Sequence, residues 1–153
     1  HAAPLQPPFS AIRRDAAAAE LPWCREHQTG VIVYSPMQSG LLSGGFTAER
    51  AKSLPENDWR SRADEFTGER LTRNLAFVEA MKPVAARHKV GVGAVAVAWA
   101  LANPGVTAAI VGARSPAQVD GWLPAASLAL TAEDLAELNA ALKKLGVGSG
   151  PIA

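Results

Sequence analysis

The stretch GVIVYSPMQSGLLSG at residues 30–44 decides how this sequence is interpreted. It begins with the apolar run Gly30–Tyr34, which stops at Ser35-Pro36 and is typical of a strand buried in a parallel sheet. Small and polar residues follow directly, as in a sharp turn. Two interpretations of this turn remain open. Either it binds a ligand through the Tyr34 ring, hydroxyl groups and backbone N–H groups, or it only caps the strand.

Outward from this stretch, two more segments have the pattern of strands. Residues 106–111 are a second short apolar run, and Pro4-Leu5-Gln6 is a weaker one that Pro7-Pro8 ends. Helical patterns lie between and after these runs, so strands and helices alternate along the chain. This alternation predicts an α/β fold with a parallel sheet.

Five helices are predicted from apolar spacing and capping residues. The first covers about residues 15–27, with a bend at Pro22, and the second covers about 69–88, with a kink or split at Pro83. The third is apolar on nearly every face and is therefore predicted to be buried. The third helix covers about residues 92–102. The fourth begins at Ser115-Pro116. The fifth begins at Thr131, with Asp134 three residues later, and ends near Lys144.

Two stretches have no regular pattern. Residues 35–68 contain several glycines, Pro55 and many charges, which predicts a long surface loop of about thirty residues. Loops of that length are usually functional or mobile, and a solvated loop with no role is the alternative. Residues 146–153 are rich in glycine and predict a flexible tail. Residues 1–153 are thus a single unit with a long loop and a flexible end.

The segment IVGARSP at residues 110–116 leads from the second strand directly into a helix start. Free backbone N–H groups at such a junction attract anions, and the guanidinium of Arg114 can bind a phosphate through two hydrogen bonds. In β/α barrels the loops after the seventh and eighth strands commonly form a phosphate site of this kind. The alternative is an ordinary turn with a solvent-facing arginine.

The composition excludes several classes of protein. The chain has 153 residues, 48% of them hydrophobic, and a formal charge of +1 with scattered basic residues, so we expect no nucleic-acid or membrane partner. The single cysteine, Cys24, fits a buried helix position, a reducing cytoplasmic location and the absence of a metal site. Residues 1–4 lack an initiator Met and the features of a signal peptide, so we expect the sequence to begin partway through a longer chain.

Four segments together resemble the aldo-keto reductase family. They are QPPFS at residues 6–10, the stretch at 30–44, VAVAWAL at 95–101 and IVGARSPAQ at 110–118, in the family's order and at suitable spacing. The resemblance begins at the family's sixth barrel strand. It therefore implies a partial (β/α)8 TIM barrel made of strands six to eight with their helices and a C-terminal helix. Members of this family transfer hydride reversibly between NADPH and an aldehyde or ketone carbonyl.

The resemblance also implies where NADPH (or NADP) would be bound. Gln6 would lie near the nicotinamide carboxamide, and Tyr34 would stack on the nicotinamide ring. The residues implied for the pyrophosphate are Ser35, Pro36, Met37, Ser39, Gly40 and Leu41. Those implied for the adenosine 2′-phosphate are Gly112, Arg114 and Gln118.

The sequence departs from the family pattern on the adenosine side. Gly45 stands where the family often has a basic residue, and Gly121-Trp122 stands where it has an acidic residue and Asn. Asp120, one position earlier, is the candidate to replace that acid. Preference for the phosphorylated cofactor therefore depends mainly on Arg114.

The family's catalytic Tyr, Lys, Asp and His have no counterpart in this sequence. They come from the first half of the barrel, and Tyr34, the one tyrosine present, belongs to the cofactor side. His1 precedes the sixth strand, so it is not a candidate, and His27 and His88 fall near helix ends, where a cation complements the helix dipole. We expect no catalytic residue in this chain.

Three hypotheses follow from these observations. In the first, the chain is part of a reductase that acts on a small carbonyl substrate and whose N-terminal half is cleaved, omitted or on another chain. In the second, it is a non-catalytic NADP(H)-binding module. In the third, it is a truncated fragment stabilised by self-association. Three barrel strands alone would leave unpaired edges and an apolar face, so we expect something to complete them.

Overall fold

The computed structural model of the chain describes residues 3–152. In this range the strands are β1 (Ile32–Tyr34) and β2 (Ala108–Ile110), and the helices are α1 (Glu20–Glu26), α2 (Ala48–Lys52), α3 (Gly68–Arg87), α4 (Val92–Leu101), α5 (Pro116–Trp122) and α6 (Ala132–Leu145). Short 3-10 turns lie at Asp15–Ala17, Leu41–Ser43, Trp59–Arg62, Asp64–Phe66 and Leu123–Ala126. The predictions for His1 and for residue 153 of the tail lie outside the described residues.

Strand β1 is the middle of a small parallel sheet. It pairs in parallel with β2, with Tyr34 opposite Ile110. On its other side, two parallel bridges join residues 5–8 to residues 31–34. The weak third strand of the sequence prediction is therefore present as a paired segment, which we call the first strand segment (residues 5–8). The observed order, first strand segment, β1 and β2, agrees with an α/β fold built on parallel strands.

Helix α4 lies at the centre of the core, as its apolar sequence predicts. Every residue from Val92 to Ala100 is buried, because α3, α5 and β2 all pack against this helix. Phe9, which follows the first strand segment, stacks on Trp99 with ring centroids 5.7 Å apart. Such a pair adds about 1 kcal/mol beyond the burial of its surface. The contact fixes the first strand segment against α4.

Helix α3 runs unbroken through a proline. The sequence predicts a kink or split at Pro83, but the helix continues from Gly68 to Arg87 with Pro83 on its exposed side. Water can there bind the carbonyl that loses its helical N–H partner, which explains why the helix tolerates the proline.

Within the described range no single helix is long and apolar enough to cross a membrane, and α3 and α4 meet that test only as a pair bent by 91°.

The predicted helix at residues 15–27 is two elements in the structure. A 3-10 turn covers Asp15–Ala17, and α1 begins separately at Glu20. Pro22 lies in the first turn of α1, where the helix does not need its missing N–H group. It therefore does not bend the helix. Cys24 is buried on this helix, as predicted.

The stretch 35–68 contains more structure than the predicted loop. It holds α2 and three 3-10 turns. The buried ring of Phe66 contacts Phe46 and Trp59 edge to face, at centroid distances of 5.2 and 5.7 Å. These rings form a small apolar cluster within the stretch. Single aromatic residues spaced among many charges give no periodic pattern, so the sequence analysis did not find it.

The C-terminal segment is packed, which differs from the flexible tail that the sequence predicts. Gly148 and Gly150 have positive φ, and a Cβ at either position would collide with the backbone of residues 12–15. The guanidinium of Arg14, only 3% exposed, links this segment to its own loop. It donates to the carbonyls of Ala11, Val147, Gly150 and Pro151. Burial lowers the pKa of Arg14, and the charge of Asp15 acts in the opposite direction.

A buried carboxylate joins α3 to α6. Asp134 is fully buried and accepts a hydrogen bond from the Thr131 N–H at 2.9 Å, while the Thr131 hydroxyl accepts one from the Asp134 N–H at 3.1 Å. This is the predicted capping box. His88 Nε2 lies 2.6 Å from the same carboxylate, and Arg87 pairs with it. Burial alone raises the pKa of Asp134, but these hydrogen bonds outweigh it and hold the pKa well below its usual range.

We expect Asp134→Asn to lower the free energy of unfolding by about 2 kcal/mol at pH 7, because it weakens the cap and leaves Arg87 and His88 without a charged acceptor. Because the folded pKa of Asp134 is depressed, its stabilisation is fully present above the unfolded pKa of about 4 and is lost as the pH falls. Urea unfolding followed by circular dichroism at pH 7 and pH 3 measures both effects.

The matched control is Asp120→Asn, which changes an exposed aspartate on α5. It should alter the unfolding free energy by less than about 0.5 kcal/mol. Equal stability of the Asp134→Asn variant and the wild type at pH 7 would contradict the role given to this carboxylate.

Candidate functional site

Two segments that the sequence singled out leave the sheet at the same edge. Ser35–Leu41 follows the carboxyl end of β1, and Gly112–Gln118 follows the carboxyl end of β2. Because these strands are parallel and Tyr34 lies opposite Ile110, both segments start at one edge, which we call the carboxyl edge. In open and closed β/α sheets ligands bind at this edge. The two candidate ligand-binding segments are therefore neighbours.

Gln6 and Tyr34 lie on the same face of the sheet. The bridges of the first strand segment place Gln6 opposite Ile32. Residues two apart along a strand point to one face, so Ile32, Tyr34 and Gln6 share that face. Tyr34 is 40% exposed, and Gln6 is exposed as well. An amide and an aromatic ring are thus both available on this side.

The turn after Tyr34 has an unusual backbone. Ser35, Gln38 and Ser39 have φ angles of 56°, 45° and 52°, and Gly40 has 93°. The left-handed region costs a residue with a Cβ about 1 kcal/mol or more. Three such residues within five positions make this a turn that the surrounding structure must hold in place.

Hydrogen bonds and buried leucines hold this turn. The carbonyl of Met37 accepts hydrogen bonds from the N–H groups of Gly40 and Leu42, at 3.1 and 3.0 Å. Leu41 and Leu42 are both fully buried. The turn is therefore anchored at its end by the core.

The predicted site residues of this turn differ in how a ligand can reach them. Pro36 and Leu41 are buried, so a ligand does not reach their side chains in this structure. Nothing lies within 4 Å of the place that a Cβ would occupy at Gly40 or Gly112, so the main chain is open to close approach there. The half-buried or exposed members are Ser35, Met37, Ser39 and Gly40.

Some N–H groups of the turn before α5 already have hydrogen-bond partners within the turn. Ser115 caps α5 by accepting from the Gln118 N–H at 3.4 Å, as predicted. The Gln118 side-chain oxygen in turn accepts from the Arg114 N–H at 2.7 Å. One of the N–H groups expected to face an anion is therefore already bound. The exposed guanidinium of Arg114 and the amide nitrogen of Gln118 are the donors that this turn offers.

A carboxylate and an arginine that the sequence analysis missed lie beside this site. Asp58 accepts from the Arg60 side chain at 2.6 and 3.0 Å and from its N–H at 3.0 Å. These bonds, together with the charge of Arg114, hold the pKa of Asp58 at about 2. Arg60 also donates to the carbonyl of Ser39 at 3.4 Å. The stretch 58–60 is thus joined to the turn after β1, and Asp58 is near enough to Arg114 to be influenced by its charge. The sequence signal for this stretch is the Asp-x-Arg spacing, with Asp58 as an N-cap.

Other titratable residues have structural partners. The His27 ring stacks on Trp23 at a centroid distance of 4.1 Å, and His88 contacts the buried Asp134. Both lie at helix ends, as the sequence predicts. Among residues 3–152, no group of three or more His, Cys, Asp or Glu side chains is placed to hold a metal ion.

The chain is similar to known proteins over most of its length. The model of the aldo/keto reductase family matches residues 2–143. The aldo-keto reductase YhdN of Bacillus subtilis is 28% identical over 140 residues, which cover 91% of this chain and 42% of that protein. The NADH-specific methylglyoxal reductase of Escherichia coli is 28% identical over 130 residues, 85% of this chain and 39% of that protein.

A solved structure has the same arrangement. The glycerol dehydrogenase of Gluconobacter oxydans superimposes with a TM-score of 0.85 at 28% sequence identity, covering 97% of this chain and 44% of that chain. This neighbour has a TIM-barrel fold, and the described strands and helices are consistent with part of such a barrel. The chain spans less than half the length of each of these relatives.

We expect Asp58→Ala to loosen the stretch 58–62 without unfolding the chain, because it removes the cap of the 3-10 turn and the partner of Arg60. Hydrogen exchange followed by mass spectrometry should show faster exchange of peptides covering residues 56–63 and unchanged exchange in α4. The control is Glu56→Ala, an exposed acid two positions earlier. Unchanged exchange at 56–63 in the Asp58 variant would show that this pair does not hold the stretch.

Proposed function

Because the chain belongs to the aldo/keto reductase family, we propose that it forms the cofactor-binding part of an NADPH-dependent carbonyl reductase. The observation that carries the proposal is the meeting of two segments at the carboxyl edge, one beginning at Tyr34 and the other containing Arg114. Ligand-binding segments of β/α folds are found at this edge. The carbonyl substrate is a small aldehyde or ketone.

The nicotinamide end of the cofactor fits the face that Gln6 and Tyr34 share. An exposed aromatic ring at a strand end offers a flat surface for another ring, and an amide can pair with the carboxamide of nicotinamide. When bound, NADPH supplies a hydride for the carbonyl carbon. The residues of this chain bind and orient the cofactor, and the proton donor and its helpers come from the first half of the barrel.

The middle of the cofactor fits the turn after β1. The main chain at Gly40 is open, and the Ser35 and Ser39 side chains add hydroxyl groups. Hydroxyl groups suit phosphate oxygens as donors. The Gly40 N–H already donates to the Met37 carbonyl, so Gly40 contributes only room for close approach. Because Pro36 and Leu41 are buried, we assign them a main-chain role at most, with the half-buried Met37 packing below the ligand.

The adenosine end fits Arg114, Gln118 and the open main chain of Gly112. The exposed guanidinium of Arg114 can bind a 2′-phosphate with two hydrogen bonds, and the Gln118 amide nitrogen can add a third. We therefore propose NADPH as the cofactor. One relative is named as NADH-specific, so a comparison of NADPH with NADH tests this part of the proposal.

We also propose that another half-barrel completes the molecule and that the whole acts in the cytoplasm, where the single cysteine stays reduced. An apolar groove of about 490 Å³ lies along the outer side of the first strand segment, between Pro4, Leu5 and Trp23. Trp23 is 51% exposed. Apolar surface beside an unpaired strand edge needs a cover. The strand and helix that precede this segment in a barrel would supply it.

Fluorescence titration with NADPH tests the cofactor proposal. We expect binding by the wild type, weaker binding of NADH, and a loss of NADPH affinity by about 10- to 100-fold in Arg114→Ala, because a charge-assisted contact to the 2′-phosphate is lost. Affinity for NADH should not change in this variant. The control is Arg25→Ala, an exposed arginine on α1. Equal loss for both cofactors would contradict a 2′-phosphate contact.

Intact mass spectrometry of the protein from its native source tests the missing half. A longer reductase should have a mass of at least about twice the 15.9 kDa of this chain. If the mass is 15.9 kDa, NADPH binding without turnover indicates a non-catalytic module. Self-association without NADPH binding indicates a fragment instead.

A further inference from the structure

A buried hydrogen bond joins the turn after β1 to the loop after the first strand segment. The hydroxyl of Ser10 donates to the side-chain oxygen of Gln38 at 3.1 Å. Ser10 is fully buried and Gln38 is 8% exposed. Buried polar groups require partners, and losing such a partner is unfavourable. Neither residue is among the cofactor contacts proposed above.

Gln38 lies where the backbone of the turn becomes left-handed. It is the first of three consecutive residues with positive φ, ahead of Ser39 and Gly40. A conformation that is unfavourable for residues with a Cβ persists only where other contacts hold it. The bond to Ser10 fixes the side chain of Gln38 and thereby limits the backbone at this position.

Ser10 is itself held firmly. Its N–H donates to the carbonyl of Arg13 at 3.0 Å, and its carbonyl accepts from the Arg13 N–H at 3.1 Å. The next residue, Arg14, binds the Ala11 carbonyl and the C-terminal segment. The loop of residues 10–14 is thus closed by its own bonds and tied to the end of the chain. It is a rigid support for Gln38.

We propose that Ser10 and Gln38 are positioning residues for the pyrophosphate of the dinucleotide. Their bond keeps the main chain at Ser39 and Gly40 in the left-handed form before the ligand arrives, so binding does not have to order the turn. This inference rests on the proposed function. It adds two residues that do not contact the cofactor but hold the turn that does. The adenosine end, held by Arg114 on the other segment, should not depend on this bond.

Titrations with NADPH and with 2′-AMP test the proposal. The second probe carries the adenosine and the 2′-phosphate but no pyrophosphate. We expect Gln38→Ala and Ser10→Ala each to weaken NADPH binding by roughly tenfold, because the turn loses its preorganisation. The double variant should be no weaker than either single one, because both substitutions remove the same bond. Affinity for 2′-AMP should stay at the wild-type value.

The matched control is Gln28→Ala. Gln28 is also a glutamine with positive φ, at 53°, but it is exposed and precedes β1, at the opposite edge of the sheet. The substitution therefore changes the same backbone preference without touching the turn. NADPH affinity should not change.

The outcomes separate the inference from the function on which it rests. If the wild type binds no NADPH, the proposed function is wrong, and the positioning role falls with it. If the wild type binds but the Gln38 and Ser10 variants bind NADPH equally well, only the positioning role is wrong. A parallel loss of NADPH and 2′-AMP affinity would also overturn it, because that pattern indicates general damage to the fold. Should Gln38→Ala fail to fold, Ser10→Ala decides between these results.

Discussion

The parallel pairing of β1 with a strand segment on each side is the constraint on which the rest of the structure depends. Because the three segments run in one direction, the chain leaves all of them at the carboxyl edge. The turn of Gln38 and the turn of Arg114 begin side by side for this reason. A register shift by one residue would move Tyr34 to the opposite face and separate it from Gln6. Helix α4 secures the register by packing against β2 and, through Trp99, against Phe9.

The features that the sequence predicts well are those with a local cause. The strands at β1 and β2, the buried α4 and the caps at Ser115 and Thr131 all follow from spacing, hydrophobicity or a single side-chain bond. The family also follows from sequence, because four short segments occur in order. The position of the candidate site follows in turn, since it needs only two parallel strands and the residues after them.

The features that the sequence does not predict depend on contacts between distant segments. The packed C-terminal segment is one example, because the carbonyl of Pro151 meets a donor 137 residues earlier in the chain. The aromatic cluster around Phe66 and the link from Arg60 to Ser39 are others. Pro83 is the opposite case. A proline inside a helix predicts a kink or split, but Pro83 lies on the exposed side of α3, where water can bind the carbonyl that loses its helical partner, so the helix continues.

The long separation between Arg14 and its acceptors also has a consequence for the order of folding. The ribosome makes Val147 and Gly150 more than 130 residues after Arg14. Until those residues emerge, the guanidinium of Arg14 must remain hydrated, and the loop that follows the first strand segment lacks its final contacts. The parallel strands can pair earlier. The support beneath the turn after β1 is therefore completed late in synthesis, after α6 has been made.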